Sequence, residues 1–333
     1  MEKWLYAESD PLDWPALAIS WKRERIDLRG RLAVMIGPIA DTAVQLPAPV
    51  LRPFITQYAG FRVSGLPPGL HFGLPSTDVH LIISLDHPIE VVQMPNTMQR
   101  PSVLTALVSG LQNAPAVIRQ DRTAFGLHVF IKPLGVRAIL GVASGEISSL
   151  VLNLSDIWGN RAESLIEILL GAHSWRERFS MLDRAFASRL NRFSPQPEIS
   201  WAWGRLAQSH GSVAVQQLAD EIGYSRRYFS ERFRETIGVA PKLAARVFRF
   251  KRACRLVADN RLGLAHVAIG CGYYDQAHLT REWYAFAGCS PKAWITRELP
   301  FLQDYELGGR DNESHGLESR QSEYDDSPYN TER

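Results

Sequence analysis

The 333-residue chain lacks the features that mark secreted, membrane-spanning and disulfide-stabilised proteins. Its three cysteines, Cys254, Cys271 and Cys289, match no CxxC spacing, and we expect them to be buried apolar side chains in a reducing compartment. No apolar run is long enough to span a bilayer, and the N-terminus leads into no apolar signal segment. These absences predict a cytoplasmic protein without membrane contact.

Sequence motifs of common enzymes are missing as well. The chain contains no Gly-rich phosphate loop, no GxSxG and no HExxH. We therefore predict no catalytic residues and no cofactor, and we do not expect an enzyme.

Charge is unevenly distributed, although the formal net charge is only +2. Residues 196–299 hold 15 Lys/Arg and 9 Asp/Glu, a net charge of +6. Residues 300–333 hold 3 Lys/Arg and 9 Asp/Glu, a net charge of −6. A basic module is thus followed by an acidic tail, and the near-neutral total hides both.

The predicted fold class is α+β, with five segments along the chain. Residues 1–45 are an N-terminal extension, either ordered or a loose arm. Residues 46–192 are a β-rich sensor or dimerisation domain with C-terminal helices, because β-branched segments give way to helical periodicity near residue 136. Two prolines in 193–199 predict a linker, residues 200–299 form an all-α domain, and the acidic residues 300–333 are expected to be disordered.

Within the β-rich domain, alternation and turn residues predict a turn at Gly65–Gly69 and strands at Phe54–Val63, Val79–Leu85, Ile89–Val92 and Phe125–Ile131. Two apolar stripes at helical spacing follow: Leu165, Ile166, Leu169 and Leu170, then Phe179, Leu182, Phe186 and Leu190. Either stripe could be core or a dimer face.

Residues 213–242 and 262–292 repeat each other. Leu218-Ala219 corresponds to Val267-Ala268, and Gly223-Tyr224 to Gly272-Tyr273, all 49 residues apart. After one inserted residue, Gly238, Pro241 and Lys242 match Gly288, Pro291 and Lys292 at an offset of 50. Two copies of one supersecondary unit explain this pattern.

Each copy is predicted to be a helix-turn-helix unit. In the first copy, a helix ends at Gly223, because glycine tolerates the positive φ of a helix C-terminus. The small Ala219 lets a second helix cross closely, and this helix runs from the N-cap Ser225 to about Thr236. Ala268 and Gly272 take the same roles in the second copy. The predicted buried faces of the two second helices are Phe229, Phe233 and Ile237, and Leu279, Trp283 and Phe286.

The opposite faces carry side chains that can read base edges. Arginine forks onto guanine, glutamine pairs with adenine, and glutamate accepts from cytosine. The second helix of such a unit usually enters the major groove with its N-terminal half toward the bases. The exposed sets are Arg226, Arg227, Ser230, Glu231 and Arg234 in the first copy, and Asp275, Gln276, His278, Thr280 and Arg281 in the second.

A basic helix from about Pro241 to Asp259 joins the two copies, since proline is acceptable in a first helical turn. We predict that Arg249 on this helix either bridges the two units or contacts a DNA phosphate. Phe250, Ala253, Leu256 and Val257 are predicted to face the core.

At these residues the sequence resembles the AraC/XylS family of transcription regulators. The matching stretches are 218–225, 232–241, 249–257, 272–283 and 288–291. The resemblance covers residues 200–299 and implies two recognition helices that enter successive major grooves of double-stranded DNA. It implies promoter DNA and RNA polymerase as partners. We expect an activator, while activation versus repression, a small-molecule effector and a homodimer stay open. The base-reading positions it implies are Arg226, Arg227, Ser230, Glu231, Gln276, His278, Thr280 and Arg281.

Four positions depart from the family pattern. Glu231 is acidic where the family often has a basic or amide residue, and Tyr284 stands where lysine is common. Ala214 and Gly263 replace the usual Ser or Thr caps of the first helices. The N-terminal stretches 51–58, 132–142 and 154–159 resemble, less specifically, a sensor domain, and no ligand follows from that.

The competing interpretation is a cupin-like enzyme or metal sensor in residues 46–135. Its candidate ligands are His71, His80, His87 and His128, whose spacings of 9, 7 and 41 match no compact metal motif. We therefore predict no metal site. A DNA-repair methyltransferase fused to the same module would need a reactive N-terminal cysteine, which the sequence lacks.

Overall fold

Strands form most of the N-terminal part of the chain and helices the C-terminal part, as the sequence predicts. The computed structural model describes residues 24–26, 32–34, 39–190, 196–259 and 261–297. The predicted tail at 300–333 and most of the predicted extension lie outside these residues. The strands are β1 (Glu24–Ile26), β2 (Leu32–Val34), β3 (Ile39–Gln45), β4 (Ile55–Ser64), β5 (Gly69–Gly73), β6 (Val79–Ser84), β7 (Ile89–Gln93), β8 (Ser102–Leu104), β9 (Ala106–Ser109), β10 (Ala116–Gln120), β11 (Thr123–Ile131) and β12 (Val151–Asn153).

The helices follow mainly after the last strand. They are α1 (Val136–Ile139), α2 (Leu154–Trp158), α3 (Asn160–Leu170), α4 (Trp175–Ala187), α5 (Pro197–Gln208), α6 (Val215–Ile222), α7 (Arg226–Ile237), α8 (Pro241–Asp259), α9 (Leu264–Gly270), α10 (Gln276–Ala287) and α11 (Pro291–Arg297). Among the described residues, no helix combines the length and the apolar character that crossing a bilayer requires.

A six-stranded antiparallel sheet, in the order β12-β9-β6-β11-β4-β3, frames the N-terminal domain. Val79, Leu81 and Ile83 of β6 are fully buried on one face, whereas His80 and Ile82 on the other face are half-buried. Because successive side chains of a strand point to opposite faces, this alternation sets the side that the helices cover.

A four-stranded sheet, in the order β5-β10-β7-β8, faces the other side of the first sheet. Val91, Leu107 and Val151 belong to a small apolar cluster between the two sheets. Ile82 of the first sheet and Ile118 of the second pack against this cluster.

The predicted strands correspond to β4, β6, β7 and β11, while five further strands of the two sheets, β5, β8 to β10 and β12, were missed. Residues 39–45 were assigned to the extension, yet β3 pairs with β4 along its whole length. These strands escaped prediction for one reason. Segments such as Ala106–Ser109 become strands because they pair with another strand, and the local sequence pattern does not reveal that partner.

Helices α3 and α4 cover the first sheet. Leu165 and Leu169 of α3 and Phe179, Leu182 and Phe186 of α4 are buried, so most of the two predicted stripes is core. Leu170 is half exposed. The carboxylate of Asp183 ties α4 to the sheet, because its Oδ1 accepts hydrogen bonds from the Tyr58 hydroxyl at 3.0 Å and the Ala48 amide at 2.9 Å.

Helix α5 begins at Pro197, inside the range 193–199 that the sequence predicts to be a linker. Proline breaks a helix interior but suits the first turn, where its missing N–H has no partner to lose. Residues 193–195 lie outside the described residues. Helix α8 coincides with the predicted joining helix, and Phe250, Ala253 and Val257 are buried as expected.

Candidate nucleic-acid interface

The first helix-turn-helix copy, here unit 1 (residues 213–242), is built as its local sequence predicts. Helix α6 ends at Gly223, whose φ of +80° is a left-handed conformation that glycine adopts without strain. The Ser225 hydroxyl caps α7 by accepting from the amide of Tyr228 at 3.3 Å. Ala219 is fully buried, in agreement with the predicted close crossing of α6 and α7.

The second copy, here unit 2 (residues 262–292), repeats this construction. Gly272 follows α9 with a φ of +76°, and Asp275 caps α10 by accepting from the amide of His278 at 2.6 Å. Neither Ala214 nor Gly263 supplies a side-chain cap to the first helix of its unit. The second helices are therefore better anchored at their N-termini than the first helices.

The exposed face of α7 carries the predicted base readers of unit 1. Arg226, Arg227 and Glu231 are exposed, and the side chain of Arg227 is 90% accessible. Arg227 Nε donates to Glu231 Oε1 at 3.2 Å, so part of its charge is already neutralised. The Ser230 hydroxyl donates to the Arg226 carbonyl at 2.8 Å and has lone pairs left for another donor.

The matching face of α10 is less charged. Gln276 and Arg281 are exposed, and Thr280 donates its hydroxyl proton to the Gln276 carbonyl at 2.9 Å. His278 Nδ1 accepts from the amide of Tyr274 at 3.4 Å, which leaves Nε2 to carry the ring proton outward.

Arg249 lies between the two units. Its Nη1 donates to the carbonyl of Gly211 at 3.2 Å, in the connection between α5 and α6. Its guanidinium carbon is 5.8 Å from the ring centroid of Tyr273, in the turn of unit 2. These contacts favour the bridging alternative over a free phosphate-binding side chain.

An open cleft of about 510 Å³ separates the first half of α8 from α10. Its cationic lining consists of Lys242, Arg246, Arg249 and Arg281, together with His278. The only carboxylate among the lining residues is Glu282, which is 5% exposed and accepts from Arg246 Nε at 2.6 Å. The carboxylate is thus neutralised inside the protein, and the cleft presents positive charge to solvent.

The sequence of residues 218–297 matches the family described as a helix-turn-helix domain. The C-terminal part of this chain is an AraC-type helix-turn-helix domain. Such a domain binds double-stranded DNA, and the AraC-type domain that the sequence predicts is confirmed.

A curated relative supports the same assignment. The F1 operon positive regulatory protein of Yersinia pestis is 31% identical over 98 residues, which is 29% of this chain and 32% of the relative. The chain therefore matches about a third of that protein's length. The relative is named as a regulator and not as an enzyme, in agreement with the prediction.

The chain is also similar, at low sequence identity, to two solved structures. ToxT from Vibrio cholerae is 10% identical, with a TM-score of 0.44 over 78% of this chain and 98% of ToxT. The C-terminal domain of AraT, a response regulator from Geobacillus stearothermophilus, is 19% identical, with a TM-score of 0.30 over 38% of this chain and 98% of that domain. At this level of similarity, no ligand or partner is transferred to this chain.

The structure places the eight predicted base-reading residues in two groups, four on α7 and four on α10, and places Arg249 on α8. Two cleft residues were not predicted as DNA contacts, namely Lys242 and Arg246. Their spacing of four on a helix places them on one face with Arg249, and this is the signal that could have found them. Nothing in the local sequence indicated that Glu282 would be buried.

The histidines of the competing cupin-like interpretation do not form one site. His80 Nδ1 and His128 Nε2 are 2.6 Å apart between the sheets, whereas His87 pairs with Asp86 and Asp121. Burial, the adjacent His80 and, to a smaller extent, His71 hold the pKa of His128 well below its usual range. Within the described ranges, no group of three or more His, Cys, Asp or Glu side chains is arranged to hold a metal ion.

The cysteines resemble packing residues more than reactive groups. Cys254 and Cys271 are buried, Cys289 is half-buried, and all three are free thiols. Burial raises the pKa of the Cys271 thiol to about 11, which disfavours the thiolate that nucleophilic chemistry needs.

Proposed function

We propose that this protein is a sequence-specific transcription regulator that reads two successive major grooves with α7 and α10. The observation that carries the proposal is the repeated unit, in which two capped helices each turn an uncovered polar face to solvent. Arg226, Arg227, Ser230 and Glu231 are proposed to contact one set of bases. Gln276, His278, Thr280 and Arg281 are proposed to contact another.

The basic cleft between α8 and α10 is proposed to receive the sugar-phosphate backbone next to the groove that α10 enters. Arg246 is paired with Glu282 and Arg281 is assigned to the bases, so Lys242 supplies the exposed cation at this lining. Cations that neutralise phosphates release condensed counterions. This part of the interface would supply affinity without sequence preference, whereas the exposed faces of α7 and α10 would supply selectivity. Arg249 is proposed to contribute by bridging the units.

The proposal also covers the location, the partners and the regulation of the whole protein. We place the protein in the cytoplasm, with RNA polymerase as a partner, and we assign control of DNA binding to the N-terminal domain through an effector or a homodimer. Activation is favoured over repression because the Yersinia pestis relative is named a positive regulator.

The test is selection of double-stranded DNA from a random pool by the full chain, followed by anisotropy titrations of the selected sequence at several salt concentrations. We expect one asymmetric sequence to be enriched, with half-contacts about 10 bp apart, because one helical turn puts both on one face of DNA. Binding should weaken steeply with salt.

Two variants sharpen this test. Arg281→Ala should weaken the selected sequence more than a scrambled one, whereas Lys242→Gln, which removes an exposed cation of the cleft, should weaken both alike. The matched control is Arg176→Ala, which removes an exposed cation from α4. Enrichment of no sequence, or equal effects of all three variants, would contradict the proposal.

A further inference from the structure

The N-terminal domain touches both recognition helices at the same point of the repeat. Helix α7 ends at Gly238, with a φ of +100°, and α10 ends at Gly288, with a φ of +67°. These glycines correspond in the repeat, 50 residues apart. Each one lies against a different part of the N-terminal domain.

At unit 1, the contact is a polar one. The buried Ser144 hydroxyl donates at 2.8 Å to the carbonyl of Ile237, the last residue of α7. A Cβ on Gly238 would lie 2.8 Å from the Ser144 carbonyl oxygen, and one on Gly145 would lie 3.3 Å from the Glu235 carbonyl oxygen. Two backbones are therefore in close approach, and Ser144 satisfies a carbonyl that the helix end leaves without an intrahelical partner.

At unit 2, the contact is apolar. A Cβ on Gly288 would lie 3.2 Å from the ring of Phe72, on β5, and 3.7 Å from Pro115. Leu74, just beyond β5, packs against the core of unit 2. The second sheet of the N-terminal domain thus rests on the end of α10.

A third contact lies between these two, on the joining helix. Lys251 Nζ donates to the Thr77 hydroxyl at 3.1 Å and is 3.6 Å from Asp78 Oδ2. The side chains of Lys251 and Asp78 are only 19% and 11% exposed. The Thr56 hydroxyl donates to Asp78 Oδ1 at 2.7 Å, which holds the carboxylate in place. An ion pair that is this sheltered from water is weakly screened.

We propose that these three contacts form a clamp through which the N-terminal domain sets the spacing between α7 and α10, and hence the operator spacing that the protein accepts. The inference rests on the proposed function. The two units have separate cores and are joined by α8 and its side chain Arg249, so the contacts with the N-terminal domain add the restraints that act on the far ends of α7 and α10. The clamp holds the C-terminal ends of both recognition helices and leaves their N-terminal halves, which face the bases, uncovered.

Ser144, Lys251 and Phe72 are positioning residues in this proposal, since none of them would touch DNA. One added or removed base pair rotates one half-contact by about 35° around the DNA axis. A rigid pair of helices should reject such a change, whereas a pair that hinges at α8 should tolerate it.

The experiment compares the selected DNA with versions that carry one base pair more or one fewer between the half-contacts. For the full wild-type chain we expect the altered spacings to bind about ten-fold more weakly. In Lys251→Met, and more so in Lys251→Met combined with Phe72→Ala, this ratio should fall toward two-fold. Lys251→Arg keeps the charge and should restore the wild-type ratio.

The matched control is Arg255→Gln, which removes a cation one turn further along α8 without touching the N-terminal domain. It should change all three affinities alike and leave their ratio at the wild-type value. Circular dichroism checks that each variant is folded. If Lys251→Met keeps the wild-type ratio while sequence selectivity persists, the clamp is refuted and the proposed function stands.

A second readout needs no DNA. Hydrogen exchange of the free chain should become faster around Gly238 and Gly288 in Lys251→Met than in wild type, because the clamp holds the ends of both helices in place. Unchanged exchange at both turns would overturn the clamp, whether or not a DNA sequence is selected. Faster exchange together with failure to select any DNA sequence would support the clamp and contradict the proposed function.

Discussion

In unit 1 the aromatic face of the recognition helix packs into a core that continues through the N-terminal domain, whereas in unit 2 the same face packs into a core of its own. Phe229 and Phe233 of α7 belong to one cluster with Leu182 and Phe186 of α4. Trp283 of α10 packs instead against Phe250 and Trp294, within the C-terminal domain. The same helix-turn-helix construction therefore packs in two ways. Helix α7 shares a core with the N-terminal domain, whereas α10 shares a core with α8 and α11.

The surfaces of the two units differ as well. Unit 1 has four arginines and two glutamates on α7, and two ion pairs, Arg227–Glu231 and Arg232–Glu235, form within that helix. Unit 2 exposes apolar side chains instead: Ile269 at 72%, Tyr274 at 91% and Tyr284 at 53%. Unit 1 would meet DNA mainly through charge, whereas unit 2 would rely on neutral polar and aromatic contacts around Arg281.

The largest expected effect concerns the cores. Trp283→Ala and Phe233→Ala each leave a cavity at a corresponding position and should cost about 3–5 kcal/mol of stability. Trp283→Ala should loosen unit 2 alone, whereas Phe233→Ala should also loosen the N-terminal domain. Urea titrations followed by regional hydrogen exchange distinguish the two patterns. A loss confined to residues 213–242 in Phe233→Ala would mean that the shared core does not couple the domains.

The next effect concerns base reading. Arg281→Ala should cost about 1–3 kcal/mol of specific binding and relax preference at its own base pair. Arg227→Ala should cost less, because wild-type Arg227 must leave Glu231 before it contacts a base. A base-substitution scan of the selected DNA with each variant measures both. An unchanged specificity profile in Arg281→Ala would show that unit 2 only anchors to the backbone.

Removal of a helix N-cap should lower stability less than the core substitutions, and by a similar amount in the two units. Ser225→Ala and Asp275→Ala each remove an N-cap and should cost about 1 kcal/mol of stability. Asp275→Asn keeps the cap but removes a negative charge near the proposed phosphate path, so it should leave the melting temperature unchanged and strengthen low-salt DNA binding. Weaker low-salt binding by a fully folded Asp275→Asn would contradict the placement of α10 at the DNA.

The smallest effect is expected for Glu231→Gln. Exposed ion pairs contribute about 0.2–1 kcal/mol, so stability should hardly change. Non-specific DNA affinity should rise, because Arg227 loses its internal partner and one negative charge leaves the interface. The control is Glu163→Gln on α3, which removes an exposed carboxylate far from the recognition helices. Equal rises in both variants would point to net charge alone.

Most of the AraC-type domain could be predicted from sequence, because its elements are specified locally. The Gly223 and Gly272 turns, the Ser225 cap and the buried face of α7 follow from conformational preference and 3.6-residue periodicity. The N-terminal domain was predicted less completely. Strands β5, β9, β10 and β12 are short, and they pair with strands that are not their neighbours in sequence, so only pairing reveals them.

The candidate interface shows the same division. The exposed faces of α7 and α10 were evident from helical spacing, but the basic cleft needs α8 and α10 to be placed side by side. Glu282 illustrates the limit: on the sequence it is one more charge beside Arg281. Only the tertiary structure buries it and pairs it with Arg246, whose guanidinium lies over the ring of Phe286.

By itself, then, the sequence determined that this protein carries two helix-turn-helix units joined by a basic helix, because caps, glycine turns and apolar periodicity act over a few residues. Only the tertiary structure decided that the N-terminal domain reaches both units, through Ser144, Phe72 and the Asp78–Lys251 ion pair. The residues of the ion pair are 173 positions apart in sequence. Contacts over such separations depend on how whole domains pack, and no local pattern records them.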